Sequence, residues 1–117
     1  MGKGTLRDSF VYAIRGILVA ITGGRNMKIH LLAAALAIIV GWFLGINRLE
    51  WAMITISIFL VLAAETLNTA VEKAVDLVTR EYHPLAKQAK NLAAGAVLLT
   101  AINAVIIGLL IFGPYLF

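Results

Sequence analysis

The chain predicts an all-α integral membrane protein, with one N-terminal surface helix and three transmembrane helices in a single membrane domain over residues 1–117. Three observations lead there. Hydrophobic residues make up 62% of the sequence and charged ones only 14%, whereas soluble domains run near 45–50% apolar and about 25% charged. The apolar residues gather into runs of membrane-compatible length. Lysines and arginines concentrate in some of the segments between those runs and nearly vanish from others.

Other classes fall away on composition. Without cysteine, neither a disulfide framework nor thiolate chemistry is available. The net charge of +4 comes from scattered basic residues with no basic run, so a nucleic-acid partner is not expected. Residues 1–8 are polar, and no small-residue cleavage site follows a compact apolar run, so no cleavable signal peptide is expected. Internal repeats and low-complexity segments are absent.

The elements follow in order. Residues 9–22, SFVYAIRGILVAIT, are apolar nearly all round except at Arg15 and Gly16. They are too short for the roughly 20 residues a span needs, and an interfacial amphipathic helix fits better. GGRN, at 23–26, breaks that helix, because paired glycines favour turns. The first span covers residues 29–46, and NRLE (47–50) forms a short turn. Residues 51–79 contain no proline or glycine, so one helix of about 43 Å runs through them. That exceeds the roughly 30 Å hydrocarbon core, and one end must project beyond it. A polar connection marked by Pro84 occupies residues 79–91, and the third span covers 92–112.

Lys3, Arg7, Arg15, Arg25 and Lys28 precede the first span, and Lys73, Arg80, Lys87 and Lys90 surround the second connection. The first loop has only Arg48 and the C-terminal tail has none. The positive-inside rule therefore predicts a multi-pass protein of a bacterial cytoplasmic (inner) membrane, with its N-terminus in the cytoplasm.

At that cytoplasmic interface the long helix turns polar. Glu65, Asn68, Thr69, Glu72 and Asp76 share an arc of about 100° on one face. An acid at the bilayer centre costs about 2.5–3.5 kcal/mol on insertion scales, and Glu65 is the deepest of the stripe. An interhelical clamp needs only one polar group. Two acids a helical turn apart plus an amide suit a divalent cation or a proton instead. Lys87 and Lys90 lie on the same side of the membrane. Acids opposite lysines are what phosphoryl transfer uses: Mg²⁺ on carboxylates, lysine on phosphate, one carboxylate for a hydroxyl proton. No GxxxxGK[ST] loop is present, so a nucleotide would be held by side chains from several helices. His30 and His83 lack metal-site spacing and read as interfacial anchors. Met27, Trp42, Trp51 and Tyr115 read as core or belt residues.

AAETLNTAVEKAVDL (63–77), then EYHPLAKQAKNLAAGAVLL (81–99), resembles the small prokaryotic diacylglycerol kinase family. RNMKIHLLAA (25–34) and HPLAKQAK are closer to its undecaprenol kinase branch. The likeness extends over residues 9–112, and E-x-x-N-x-x-x-E with a later A-K is its specific core. The resemblance implies a homotrimer with interfacial active sites between subunits, using ATP and Mg²⁺. It implies Glu65 as general base on the lipid hydroxyl, Asn68 as its orienting residue and Glu72 as a metal ligand. Lys90 becomes the phosphate-binding lysine, with Tyr12, Arg15, Asp76, Tyr82 and Asn91 lining the nucleotide. Two positions depart from the pattern: Gly24 stands where relatives commonly carry an acidic metal ligand, and Asn91 where they usually carry aspartate.

The expected activity is ATP-dependent phosphorylation of a membrane lipid alcohol, undecaprenol before diacylglycerol. The departures at Gly24 and Asn91 motivate an alternative, a kinase-like lipid-binding or scaffold module with weak or lost activity. A cation conduit would need charges continuing across the membrane, and the first and third spans have none. Oligomerisation is also expected from the residues alone, to hide Glu65 from lipid, with small residues such as Ala33, Ala34 and Gly95 permitting close helix approach.

Overall fold

The computed structural model describes residues 4–117, so Lys3 of the orientation argument lies outside the described residues. They form four helices: α1 (Leu6–Ile21), α2 (Arg25–Leu44), α3 (Arg48–Val78) and α4 (Pro84–Leu116). Three of these, α2 to α4, are long and apolar enough to cross a membrane. At 16 residues, α1 is about 24 Å long and falls short of a span.

Capping chemistry shifts the starts of α1, α3 and α4 to earlier residues than apolar patterning alone predicts. Thr5 accepts a hydrogen bond from the backbone N–H of Asp8 at 3.0 Å, so α1 begins before residue 9. NRLE is not a turn but the cap and opening of α3. Asn47 accepts from the Glu50 N–H at 2.9 Å, and Glu50 accepts from the Asn47 N–H at 3.0 Å, a reciprocal capping box. The turn shrinks to residues 45–47, where Gly45 takes a left-handed φ of 65° that closes α2 at little steric cost. Half of the expected polar connection is likewise helical. His83 Nδ1 accepts from the Leu85 N–H at 3.1 Å, and Pro84 occupies the first turn of α4, where its missing N–H costs nothing. Lys87, Lys90 and Asn91 therefore ride on helix rather than loop.

Polar contacts show α3 and α4 to be an antiparallel pair. Asp76 meets Lys90, Ser57 meets Asn103 at 3.5 Å, and Glu50 meets Tyr115 at 2.6 Å. As the number on α3 falls, its partner on α4 rises. The apolar core lies towards the Tyr115 end: Ile46, Ile54 and Ile111 are buried there, with Trp51, Ile107 and Phe112 packed around them. Gly41 is needed here because a Cβ would come within 3.0 Å of both Ile46 and Trp51. Elsewhere α2 and α4 turn apolar side chains outward, such as Trp42, Phe43, Leu98 and Leu109, as a lipid solvent allows. Packing closes one end of the bundle and leaves the charged end open.

Glu50 both caps α3 and accepts from Tyr115, whereas Asn47 only caps. Asn47→Ala is expected to cost about 1 kcal/mol in denaturation from mixed micelles. Glu50→Ala should cost clearly more, and equal losses would mean that the Tyr115 contact contributes nothing.

Candidate functional site at the charged end

The acid stripe of α3 forms one wall of a cleft of about 360 Å³, and the α1–α2 turn forms the other. Glu65, Asn68, Thr69 and Glu72 face Ala20 and residues 23–27 across it. Exposure rises along the stripe: Glu65 is 6% exposed and Asn68 9%, while Glu72 is open to solvent. The turn is shaped for this. Gly23 cannot take a side chain, because a Cβ would sit 2.9 Å from the carbonyl oxygen of Val19. Gly24 has an extended φ of 171° and nothing within 4 Å of a Cβ, so a larger residue fits there.

Glu65 has one close polar side-chain partner, His30, among the described residues, and patterning did not single it out. His30 Nε2 lies 3.2 Å from Glu65 Oε2, with side-chain exposures of 19% and 7%. Membrane-embedded acids are retained when partnered, so the histidine read as an anchor is the acid's counterpart. No local spacing marked it, because the contact joins two helices across 35 positions of sequence. One chain alone buries Glu65, which removes the argument that a neighbour must hide it. Asn68 has no hydrogen bond to Glu65, and its Oδ1 is buried without any partner. Buried acceptors are normally satisfied; this one has no partner within the chain.

The remaining predicted residues divide into two groups. Asp76, one turn beyond Glu72, pairs with Lys90 Nζ at 2.8 Å, both side chains being more than a third exposed. Lys90, Lys87, Asn91, Tyr82 and Arg80 line a second cleft of about 250 Å³ at the α3–α4 turn. Tyr12 and Arg15 are exposed on α1 and line neither cleft. His83 serves as the α4 cap.

No group of three or more acidic or histidine ligands occurs among the described residues. The acid cleft still fits Mg²⁺: its free donors are oxygens, from Glu72 and the orphaned Asn68 Oδ1. That ion is held through one or two carboxylates plus substrate phosphates and water.

Fold and site together describe a helical membrane protein with carboxylates, an amide and a lysine gathered at one polar end. The chain belongs to the prokaryotic diacylglycerol kinase family, whose model matches residues 11–112; this is a family of lipid kinases. It is 46% identical over 108 residues to the undecaprenol kinase of Bacillus subtilis (strain 168), covering 92% of this chain and 88% of the relative. Against a diacylglycerol kinase of Synechocystis sp. it is 45% identical over 101 residues, 86% of this chain but 58% of that longer protein. Against the diacylglycerol kinase of Escherichia coli (strain K12) it is 32% identical over 95 residues, 81% of this chain and 78% of the relative.

Because both side chains are more than a third exposed, the Asp76–Lys90 pair adds little to folding. Asp76→Asn should leave denaturation in micelles nearly unchanged, and a large loss of stability would make the pair structural.

Proposed function

We propose that the chain transfers the γ-phosphate of ATP to the hydroxyl of a membrane lipid alcohol, undecaprenol in preference to diacylglycerol. The observation that carries this is a buried carboxylate, Glu65, beside the unpartnered Asn68 Oδ1 in a cleft that opens through Glu72 to solvent. Such a cleft admits a hydroxyl from the lipid side and a polyphosphate from the aqueous side. The undecaprenol preference is supported by near-full-length identity to a protein of that name.

Glu65 takes the proton of the acceptor hydroxyl as its oxygen bonds to the γ-phosphorus, and the bond from that phosphorus to the β-phosphate oxygen breaks to release ADP. Asn68 orients the acceptor, its side-chain amide N–H donating to the hydroxyl oxygen whose proton goes to Glu65. Glu72 would hold Mg²⁺, which when bound neutralises charge on the phosphates. Lys90 binds phosphate oxygens, and Asp76 fixes its position without burying it. Tyr82 and Asn91 line the nucleotide beside Lys90. Tyr12 and Arg15 stand apart from both clefts of one subunit, so a homotrimer in which α1 approaches a neighbour's site is the assembly that uses them. The N-terminus and the α3–α4 turn face the cytoplasm of a bacterial inner membrane, where the lysines and arginines gather and ATP is available.

Two tests follow, on purified chain in micelles with labelled ATP and the two lipids side by side. Glu65→Gln should abolish transfer to either lipid while leaving assembly intact, and near-wild-type turnover would remove Glu65 from the base role. Gly24→Glu with Asn91→Asp should raise activity and lower the Mg²⁺ needed for half-maximal rate, since a side chain at Gly24 enters open space in the acid cleft. No change in either quantity would mean that the site does not use those charges.

A further inference from the structure

We infer that His30 is a positioning residue for Glu65: its ring holds one carboxylate oxygen and leaves the other as the oxygen that meets the acceptor hydroxyl. The inference rests on the kinase reading above but adds a residue that neither the sequence pattern nor that reading includes.

The geometry makes the assignment. His30 Nε2 is 3.2 Å from Oε2 of Glu65, and no other ion pair or side-chain hydrogen bond reaches that carboxylate among the described residues. A carboxylate with one anchored oxygen has one free oxygen and a fixed plane. Without the anchor it swings about its last torsion, which is broad and roughly two-fold. The ring's second role is to stand between two spaces. Besides the acid cleft, a groove of about 270 Å³ runs between α2, α3 and α4, lined by small and apolar residues such as Ala33, Ala37, Ser57 and Ala104. His30 lines that groove and not the acid cleft, whereas Glu65 lines the acid cleft and not the groove. Their contact is therefore the partition between an apolar space at membrane depth and the polar cleft. Val61, one turn from Glu65 on α3, lines the groove's wall, so the groove leads to the pair. A displaced or freely turning carboxylate at such a junction loses alignment with the hydroxyl, and misplacement by about 1 Å costs on the order of a hundredfold in rate.

The test combines kinetics with a spectroscopic readout on the full chain in micelles, with ATP, Mg²⁺ and undecaprenol. His30→Ala should lower kcat at least about tenfold while KM for ATP and for lipid stay within about twofold, the signature of an interaction used in the transition state. His30→Gln, which restores an N–H donor, should recover most of that loss. His30→Leu, which fills the volume without a donor, should not. Equal impairment by Gln and Leu, or an Ala variant within about twofold of wild type, would overturn the inference. Should the His30 variants fail to fold, ¹⁵N-histidine NMR reads the contact without touching it. The chain has two histidines, and the second, His83, is fixed at the α4 cap. In Glu65→Gln the His30 ring resonances should move and those of His83 should stay; unmoved His30 resonances would overturn the pair. Full turnover by Glu65→Gln would instead remove Glu65 from the base role, whatever the NMR shows, and a wild-type chain that forms no phosphorylated lipid would sink the kinase reading.

Discussion

A carboxylate set into a membrane-grade helix constrains everything around it. Glu65 follows an almost uniformly apolar stretch of α3, and an acid at such depth persists only where protein surrounds and partners it. The α1–α2 turn covers it and His30 reaches it. From this follow the tight Gly23 close to Val19 and the placement of α2's first turns alongside the polar end of α3. The open, charged end of the bundle is the counterpart of a closed, apolar one, where Ile46, Ile54 and Ile111 pack beneath Trp51 and Phe112.

The division of labour along α3 and α4 has a simple physical basis. Lipid supplies no hydrophobic drive between helices, so polar contacts and close packing fix their register. Glu50–Tyr115, Ser57–Asn103 and Asp76–Lys90 lie in sequence along the pair. The last of these brings Lys90 to the acid face of α3. In the proposed mechanism Lys90 meets the phosphates, and its 2.8 Å pair with Asp76 leaves both side chains more than a third exposed.

Much of this was legible in the sequence, for reasons that differ by element. Three spans and the acid face needed only composition and the 100° turn per residue. Family membership came from E-x-x-N-x-x-x-E and the A-K that follows. Helix starts were misjudged because apolar patterning ignores capping: Asn47 with Glu50, and His83 with Pro84, extend α3 and α4 into segments that look like loops. His30 escaped because its partner lies 35 positions away, and no local spacing marks a contact between helices. The orphaned Asn68 Oδ1 could be found only once burial was known. Tyr12 and Arg15, assigned by resemblance, lie outside both clefts, so one chain gives them no place in either.

Gly24 and Asn91, where the family resemblance implies acidic residues, do not close the site: one leaves room in the acid cleft, and the other keeps a polar side chain beside Lys90. The central claim is that the charged end joins a greasy alcohol to a nucleotide through Glu65. The measurement that bears on it most directly is an experimental structure of the full chain in bilayer, holding undecaprenol, Mg²⁺ and a non-hydrolysable ATP analogue. The account predicts the lipid hydroxyl within hydrogen-bond distance of the Glu65 oxygen that His30 leaves free, with the terminal phosphate on its far side and Lys90 nearby. A hydroxyl bound elsewhere, or Glu65 turned towards acyl chains with the nucleotide remote, would contradict it.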